Sequence, residues 1–195
     1  MSFEKLEARI RALEDIEEIR KLKATYCFLC DAGLDDERNR DALISHFTED
    51  ARVDFGLGPA SIFEGAQGLE VFFGQVVPGA VSFCMHMVHN AIIEVDGDRA
   101  TGKWYYEAPT TDAATNRAQW MAGTYLEEYV REGGRWKFAS IKTRWNYISP
   151  YDEGWLVKLK VSDPSELEKL WKASSADLKL LIEEEVEKYA DVLSD

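Results

Sequence analysis

Positive charge is scarce in this sequence of 195 residues. Its 23 lysines and arginines are outnumbered by 36 aspartates and glutamates, which gives a formal net charge of -13. Because no basic cluster interrupts this acidity, binding to a nucleic acid backbone or to an anionic membrane is disfavoured. No apolar run approaches the length of a membrane span, and the N-terminus leads into a charged amphipathic segment rather than a signal peptide. We therefore expect a soluble, cytoplasmic protein.

Cysteine is also rare, with three residues at Cys27, Cys30 and Cys84. Cys27 and Cys30 form a C-x-x-C motif, but redox motifs of this kind open a helix after a strand. This pair instead lies near the end of a long helical pattern, so buried apolar thiols are the simpler interpretation. We predict that the protein uses no metal and no cofactor.

Two of the three histidines, His86 and His89, lie in an apolar run over residues 83–89 that contains no charged residue. A buried imidazole usually has a hydrogen-bond partner, and a carboxylate partner would suit it to act as a general base. The candidate partner is Asp31, which ends an apolar run. Asp31 has an alternative interpretation as a helix-end residue that binds solvent or a neighbouring amide. His46 is interpreted as a surface or helix-end residue.

The first part of the chain is predicted to be helical. Apolar residues recur at three- and four-residue steps between Leu6 and Leu29, which indicates an amphipathic helix from about Ser2 to about Ala32, ended by Gly33. The next predicted elements are a helix at 36–47, a short strand at 51–55, a helix at 66–75 and a loop at 76–81.

Four long strands are then predicted as a meander, at 82–95, 100–109, 117–130 and 136–148. Long strands with short connections favour one strongly curved antiparallel sheet, with the N-terminal helices packed into its concave side. This α+β cone, with a pocket between helices and sheet, would form a domain over residues 1–150. Residues 151–195 are predicted to be a helical C-terminal extension, either a cover for the pocket or subunit contact or a solvated appendage.

Side chains alternate along a strand, so His86 and His89 should point to opposite faces of the sheet. Both faces of this strand are apolar, which indicates that one lines the pocket and the other meets a partner surface. Alternation alone does not choose which histidine faces inward.

Four groups of residues resemble a known family. They are Ile19 to Asp31, Met85 to His89, Gly102 to Glu107, and Trp136 to Ile148. The chain resembles the SnoaL-like branch of the nuclear transport factor 2-like superfamily over about residues 13–151. Within it the pattern is most similar to bile-acid and scytalone dehydratases, and its ending is similar to a hexachlorocyclohexane dehydrochlorinase. The resemblance implies a cystatin-like roll and a homotrimer.

The resemblance also implies roles for individual residues. An aspartate at the end of the first helix would pair with an inward histidine, here Asp31 with His86, which leaves His89 outward. A catalytic tyrosine falls on Tyr26. A second acidic residue of the bile-acid enzyme is replaced by Ala108, so the chain departs from that pattern.

A further departure concerns the arginine that such enzymes carry on the last strand. Ile141 and Trp145 take the inward positions, and Arg144 would face the pocket only if a one-residue bulge turned it inward. Without it the pocket lacks a cation for an anionic substrate. Alternation places Trp104, Tyr106 and Trp145 inward, joined by Phe55, either as plain core or as a surface that stacks on a flat ligand.

The sequence thus predicts a cofactor-independent lyase, of the dehydratase type, acting on a hydrophobic hydroxylated aromatic or polycyclic compound. Alternatives on a similar substrate are a deformylating carbon-carbon lyase, an aldol cyclase, an isomerase and a dehydrohalogenase. From other classes, a non-catalytic binding module and an accessory subunit of an oxygenase remain open.

Overall fold

The computed structural model describes residues 2–150, and its first element is a helix of 29 residues, α1 (Phe3–Asp31). The side chain of Ser2 caps this helix by accepting a hydrogen bond from the Lys5 amide. Gly33 follows the helix at a φ of 96°, a left-handed conformation that glycine adopts without a steric penalty. The predicted first helix is confirmed at both ends.

Within residues 2–150, three further α-helices, one 3-10 turn, one π-helix and seven strands follow α1. They are α2 (Glu37–Ile44), β1 (Phe47–Asp54), a 3-10 turn (Pro59–Ser61), β2 (Ile62–Glu64), α3 (Gly65–Val71) continued by a π-helix (Phe72–Val76), α4 (Val77–Ala80), β3 (Val81–Cys84), β4 (Met87–Asp96), β5 (Arg99–Asp112), β6 (Ala118–Glu132) and β7 (Arg135–Pro150).

Two helical predictions need correction. The second helix ends at Ile44 rather than Phe47, because Phe47 is buried as the first residue of β1 and pairs with Phe138 of β7. The segment predicted as a loop at 76–81 is helical over Val77–Ala80, where Pro78 occupies one of the first helical positions, which tolerate its missing amide proton.

The strands form one seven-stranded sheet in the order β2-β1-β7-β6-β5-β3, and β4 also pairs with β5. Neighbouring strands run antiparallel except β1 and β7, which are parallel. The parallel pair is a feature that the sequence did not indicate. The predicted fold class, an α+β roll with a curled sheet and N-terminal helices, is confirmed.

The strand predicted at 82–95 is divided into β3 and β4. The pairs Cys84–Thr110 and Met87–Glu107 keep one continuous register across the interruption, so Met85 lies opposite Pro109. The Met85 amide donates to the Pro109 carbonyl at 3.2 Å, but proline has no amide proton to donate back. The ladder is therefore interrupted here without any displacement of the chain.

One side of α1 packs on the sheet through Ile19, Leu22 and Tyr26, which belong to the buried core. No helix within residues 2–150 combines the length and apolarity needed to cross a membrane. The C-terminal helices predicted at 151–195 lie outside the described residues.

Candidate active site

An aspartate and a histidine from distant parts of the chain meet where α1 ends against the interrupted strand. Asp31 is the last residue of α1, and its Oδ1 lies 2.6 Å from Nδ1 of His86. Its second oxygen, Oδ2, accepts a hydrogen bond of 2.9 Å from the His86 backbone amide. The two side chains are only 20% and 11% exposed. Asp31 thus holds both the imidazole and the backbone that carries it.

This geometry defines the imidazole tautomer. An ionised carboxylate can only accept hydrogen bonds, so the proton between Asp31 and His86 belongs to Nδ1. Nε2 is then the ring nitrogen with a free lone pair. His86 lines the main cavity of the fold, which suits Nε2 to remove a proton from a bound molecule.

The two remaining histidines lie elsewhere. His89 is outward, exposed, and 4.0 Å from the Glu107 carboxylate. His46 lies in the turn after α2, where burial lowers its pKa, as do the charges of Arg135 and Lys137. The structure thus places His86 at the cavity wall and His89 on the outer face of the sheet.

Tyr26 lies five residues, or about 1.4 turns, before Asp31 on α1 and lines the same cavity. Its ring centroid is 6.0 Å from that of His86, edge to face. Burial raises its pKa well above the ordinary value, and the neighbouring Cys30 and Cys27 contribute. The phenol therefore stays protonated at neutral pH and retains a proton to donate.

The cavity has a volume of about 470 Å³ and an aromatic wall. Three of the predicted ligand-contacting residues, Phe55, Tyr106 and Trp145, line it. The Tyr106 ring lies stacked 6.2 Å from the His86 ring, and Trp145 lies edge to face with Phe55 at 5.0 Å. A flat apolar molecule beside His86 would contact these rings.

Two other predicted residues lie outside the cavity. Trp104 is buried in the core, where its Nε1 donates to the Tyr129 hydroxyl at 3.1 Å. Arg144 is exposed, and it lies between two one-residue bulges of β7, at Ala139 and at Asn146. The first bulge shifts the inward positions from Phe138 to Ile141 and Trp145 and so leaves Arg144 outward, and the second brings Ile148 to the cavity.

The charged side chains that line the cavity within residues 2–150 are acidic, apart from the titratable His86. Among the lining residues within 2–150, none is lysine or arginine, whereas Asp35 and Asp112 line the cavity and Asp31 is bonded to the lining residue His86. The hydrogen bonds from Thr115 hold the pKa of Asp112 below its usual value, so this carboxylate is ionised at neutral pH. An anionic ligand would meet repulsion here.

Beneath the cavity lies a buried ion pair that the sequence analysis missed. Lys23 of α1 and Glu127 of β6 are both 0% exposed, and their Nζ and Oε1 atoms lie 2.6 Å apart. The ammonium also lies over the Tyr125 ring, 3.7 Å from its centroid. The second oxygen of Glu127 accepts a hydrogen bond from the Tyr129 hydroxyl. This network ties α1 to the sheet close to Tyr26.

A pattern signal for this pair does exist. Lys23 falls on the apolar stripe of α1 beside Ile19 and Tyr26, and Glu127 alternates with Tyr125 and Tyr129 on the inward face of β6. A single charge on each of two apolar faces, with opposite signs, predicts a buried pair.

Three side chains near the candidate dyad are of types that commonly bind metal ions. Asp31, Cys84 and His86 present one ligand atom each, all within 4.8 Å of one another. Ligands bound to one tetrahedral zinc ion lie about 3.3 Å apart or more, given bonds of roughly 2.0–2.3 Å. The 2.6 Å between Asp31 and His86 instead suits a direct hydrogen bond from Nδ1 to the carboxylate.

The cysteines around the pair are poor nucleophiles. Burial raises the pKa of Cys84 to about 12, and the Asp31 charge adds to the effect. Burial likewise raises the pKa of Cys27 to about 11 and that of Cys30 well above its ordinary value. Cys84 nevertheless lies 3.5 Å from Nδ1 of His86, as a packing neighbour of the imidazole.

Comparison with known proteins identifies the family of this domain. Residues 11–142 match the family model described as a SnoaL-like domain. The chain belongs to the SnoaL-like domain family. The resemblance inferred from the sequence is confirmed. Among curated proteins, no match to this SnoaL-like chain is found.

Several solved structures share the SnoaL-like fold. The hexachlorocyclohexane dehydrochlorinase LinA type 2 is 21% identical, with a TM-score of 0.61 over 80% of this chain and 96% of its own. A Novosphingobium aromaticivorans protein assigned provisionally as a scytalone dehydratase is 18% identical, with a TM-score of 0.62 over 78% and 94%. Another from that organism, assigned provisionally as an aromatic ring hydroxylase, is 26% identical, with a TM-score of 0.62 over 71% and 94%.

Proposed function

We propose that the protein is a cofactor-independent lyase that eliminates water from a hydrophobic, hydroxylated aromatic or polycyclic compound. The observation that supports it is the Asp31–His86 hydrogen bond of 2.6 Å at the wall of an aromatic cavity. Similarity in fold to a dehydrochlorinase and to a provisionally assigned dehydratase is consistent with elimination chemistry.

In the proposed reaction, Nε2 of His86 removes a proton from the carbon next to a carbonyl group of the substrate. The electrons of that C–H bond form the enolate, and Tyr26 donates a hydrogen bond to its oxygen. The enolate then collapses to a carbon-carbon double bond as the C–O bond of the neighbouring hydroxyl breaks. The leaving oxygen takes the proton from the imidazolium, so water departs and His86 is neutral again.

Asp31 contributes in two ways to this reaction. Its Oδ1 keeps the proton of His86 on Nδ1 and stabilises the imidazolium that forms on proton transfer. Its Oδ2 binds the His86 backbone amide, so the base keeps its orientation during turnover. The role of the remaining cavity residues, Phe55, Tyr106 and Trp145, would be to stack on the ring system.

The test uses 3-hydroxy-1-tetralone, a β-hydroxyketone whose loss of water gives fluorescent 1-naphthol after tautomerisation. General-base loss lowers rates by about two to four powers of ten, so His86→Ala and Asp31→Asn should do so here. His89→Ala is the matched control, because its imidazole is outward, and it should turn over like the wild type. Unchanged turnover in both His86→Ala and Asp31→Asn would exclude the mechanism.

Solvent deuterium separates this proposal from a non-catalytic binding module. An enzyme that forms an enolate should exchange deuterium into 1-tetralone, which lacks the leaving hydroxyl. Tight binding of 1-tetralone without any exchange would instead identify a binding module.

A further inference from the structure

The hydroxyl of Thr110 is a buried polar group without a protein partner. The residue is 3% exposed, and its Oγ1 has no hydrogen-bond partner among residues 2–150. Burying a hydroxyl without a partner is unfavourable, so such groups in native proteins call for an explanation. Thr110 also lines the cavity, and because its Oγ1 is itself buried, a rotation about the Cα–Cβ bond would bring the hydroxyl to a molecule bound there.

The sheet register locates this hydroxyl relative to the base. Thr110 pairs with Cys84, and the continuous register places His86 opposite Ala108, the previous inward residue of β5. Two residues of a strand span about 7 Å. Thr110 is therefore about the width of one or two fused rings from His86, on the same face of the sheet.

The surrounding charge limits what Thr110 can recognise. Asp112, the next inward position of β5, and Asp35 carry negative charge at the cavity wall, and no lysine or arginine within 2–150 lines it. A carboxylate or phosphate on the ligand would be repelled, whereas a hydroxyl or carbonyl would not.

We propose that Thr110 forms a polar subsite that binds an uncharged hydroxyl or carbonyl group of the substrate, about one or two rings away from the carbon that faces His86. The inference rests on the proposed function for one point: the reacting carbon of the substrate faces His86. It specifies a neutral, doubly oxygenated ring system rather than an acid or a coenzyme-linked compound.

Binding of product-like naphthols tests this subsite without any turnover. The probes are 2,6-dihydroxynaphthalene, which has hydroxyls at opposite ends of the ring system, and 2-naphthol, which has one. Since one good hydrogen bond contributes a few-fold to about tenfold, the wild type should bind the diol roughly 3–10-fold tighter by calorimetry. Thr110→Val, which removes the hydroxyl and keeps the shape, should reduce that advantage to about twofold or less.

Thr48→Val is the matched control. Thr48 is also 3% exposed with an unpartnered hydroxyl among residues 2–150, but it does not line the cavity. Both variants should melt no lower than the wild type, since each loses an unsatisfied buried group. Only Thr110→Val should lose the preference for the diol.

A charged probe tests whether the group bound at Thr110 must be uncharged. 6-Hydroxy-2-naphthoate, in which a carboxylate replaces one hydroxyl, should bind the wild type at least about tenfold more weakly than the diol. An undiminished preference for the diol in Thr110→Val, equal binding of the acid, or no binding of either naphthol by the wild type would overturn the subsite. Failure of His86→Ala to slow dehydration would refute the proposed reaction and leave this binding result intact.

Discussion

Replacing Lys23 by methionine should destabilise the protein far more than a surface substitution would. Methionine fills nearly the same volume but leaves the Glu127 carboxylate, 0% exposed, without its ammonium partner at 2.6 Å. Breaking one side of a buried ion pair costs about 3–5 kcal/mol of the free energy of unfolding. For a domain of this size, each kcal/mol corresponds to about 2–4 °C in Tm, so the melting temperature should fall by roughly 6–20 °C.

The assay is thermal unfolding of the full chain followed by far-ultraviolet circular dichroism, with urea titration for the free energy. The double variant Lys23→Met with Glu127→Leu removes both charges and should recover most of the loss, because no buried charge remains unpaired. Recovery will be incomplete, since the Tyr129 hydroxyl loses its acceptor. If Lys23→Met melts within about 2 °C of the wild type, or if the double variant loses the sum of both single effects, the reasoning is refuted.

Three further predictions concern packing, thiol chemistry and assembly. Gly123→Ala should cost about 1–3 kcal/mol in urea unfolding, because its Cβ would lie 2.5 Å from the Arg144 carbonyl oxygen and 3.0 Å from the Tyr106 ring; a neutral effect would contradict this contact. Native Cys27 and Cys84, whose pKa values are raised to about 11 and about 12, should react slowly with Ellman's reagent near pH 8 and faster as the pH rises, whereas urea should release all three thiols at once. The homotrimer implied by the family remains a prediction, which light scattering checks; a monomer at micromolar concentration would count against it.

The sequence was most informative where a periodic pattern met a chemically unusual residue. The helical period of α1 ends at Asp31, and strand alternation separates His86 from His89, so the two halves of the candidate dyad were identifiable. Choosing the inward histidine required family resemblance, because both faces of that strand are apolar. The hydrogen bond between Asp31 and the His86 amide could not be read from any local pattern.

Other features depended on contacts between distant segments. The helix α2 ends at Ile44 rather than at the predicted residue 47, because Phe47 is buried against Phe138 in the sheet, although the local sequence favoured a longer helix. The bulge of β7 at Ala139 decided that Trp145 faces the cavity and Arg144 does not, and bulge positions follow from pairing rather than from composition. The interruption at Met85 differs from these features because it has a local cause in the sequence. Pro109 in the neighbouring strand has no amide proton, so one hydrogen bond of the ladder must be missing.

The parallel pairing of β1 with β7 has a consequence for how the chain is made. Phe47 finds its partner Phe138 about 90 residues later, so a ribosome adding about 5–20 residues per second leaves β1 unpaired with β7 for roughly 5–20 s. Val53 and Ile141, paired across the same junction, both line the cavity. The ligand chamber is therefore closed only late in synthesis, and a nascent chain stalled before residue 135 would lack that wall.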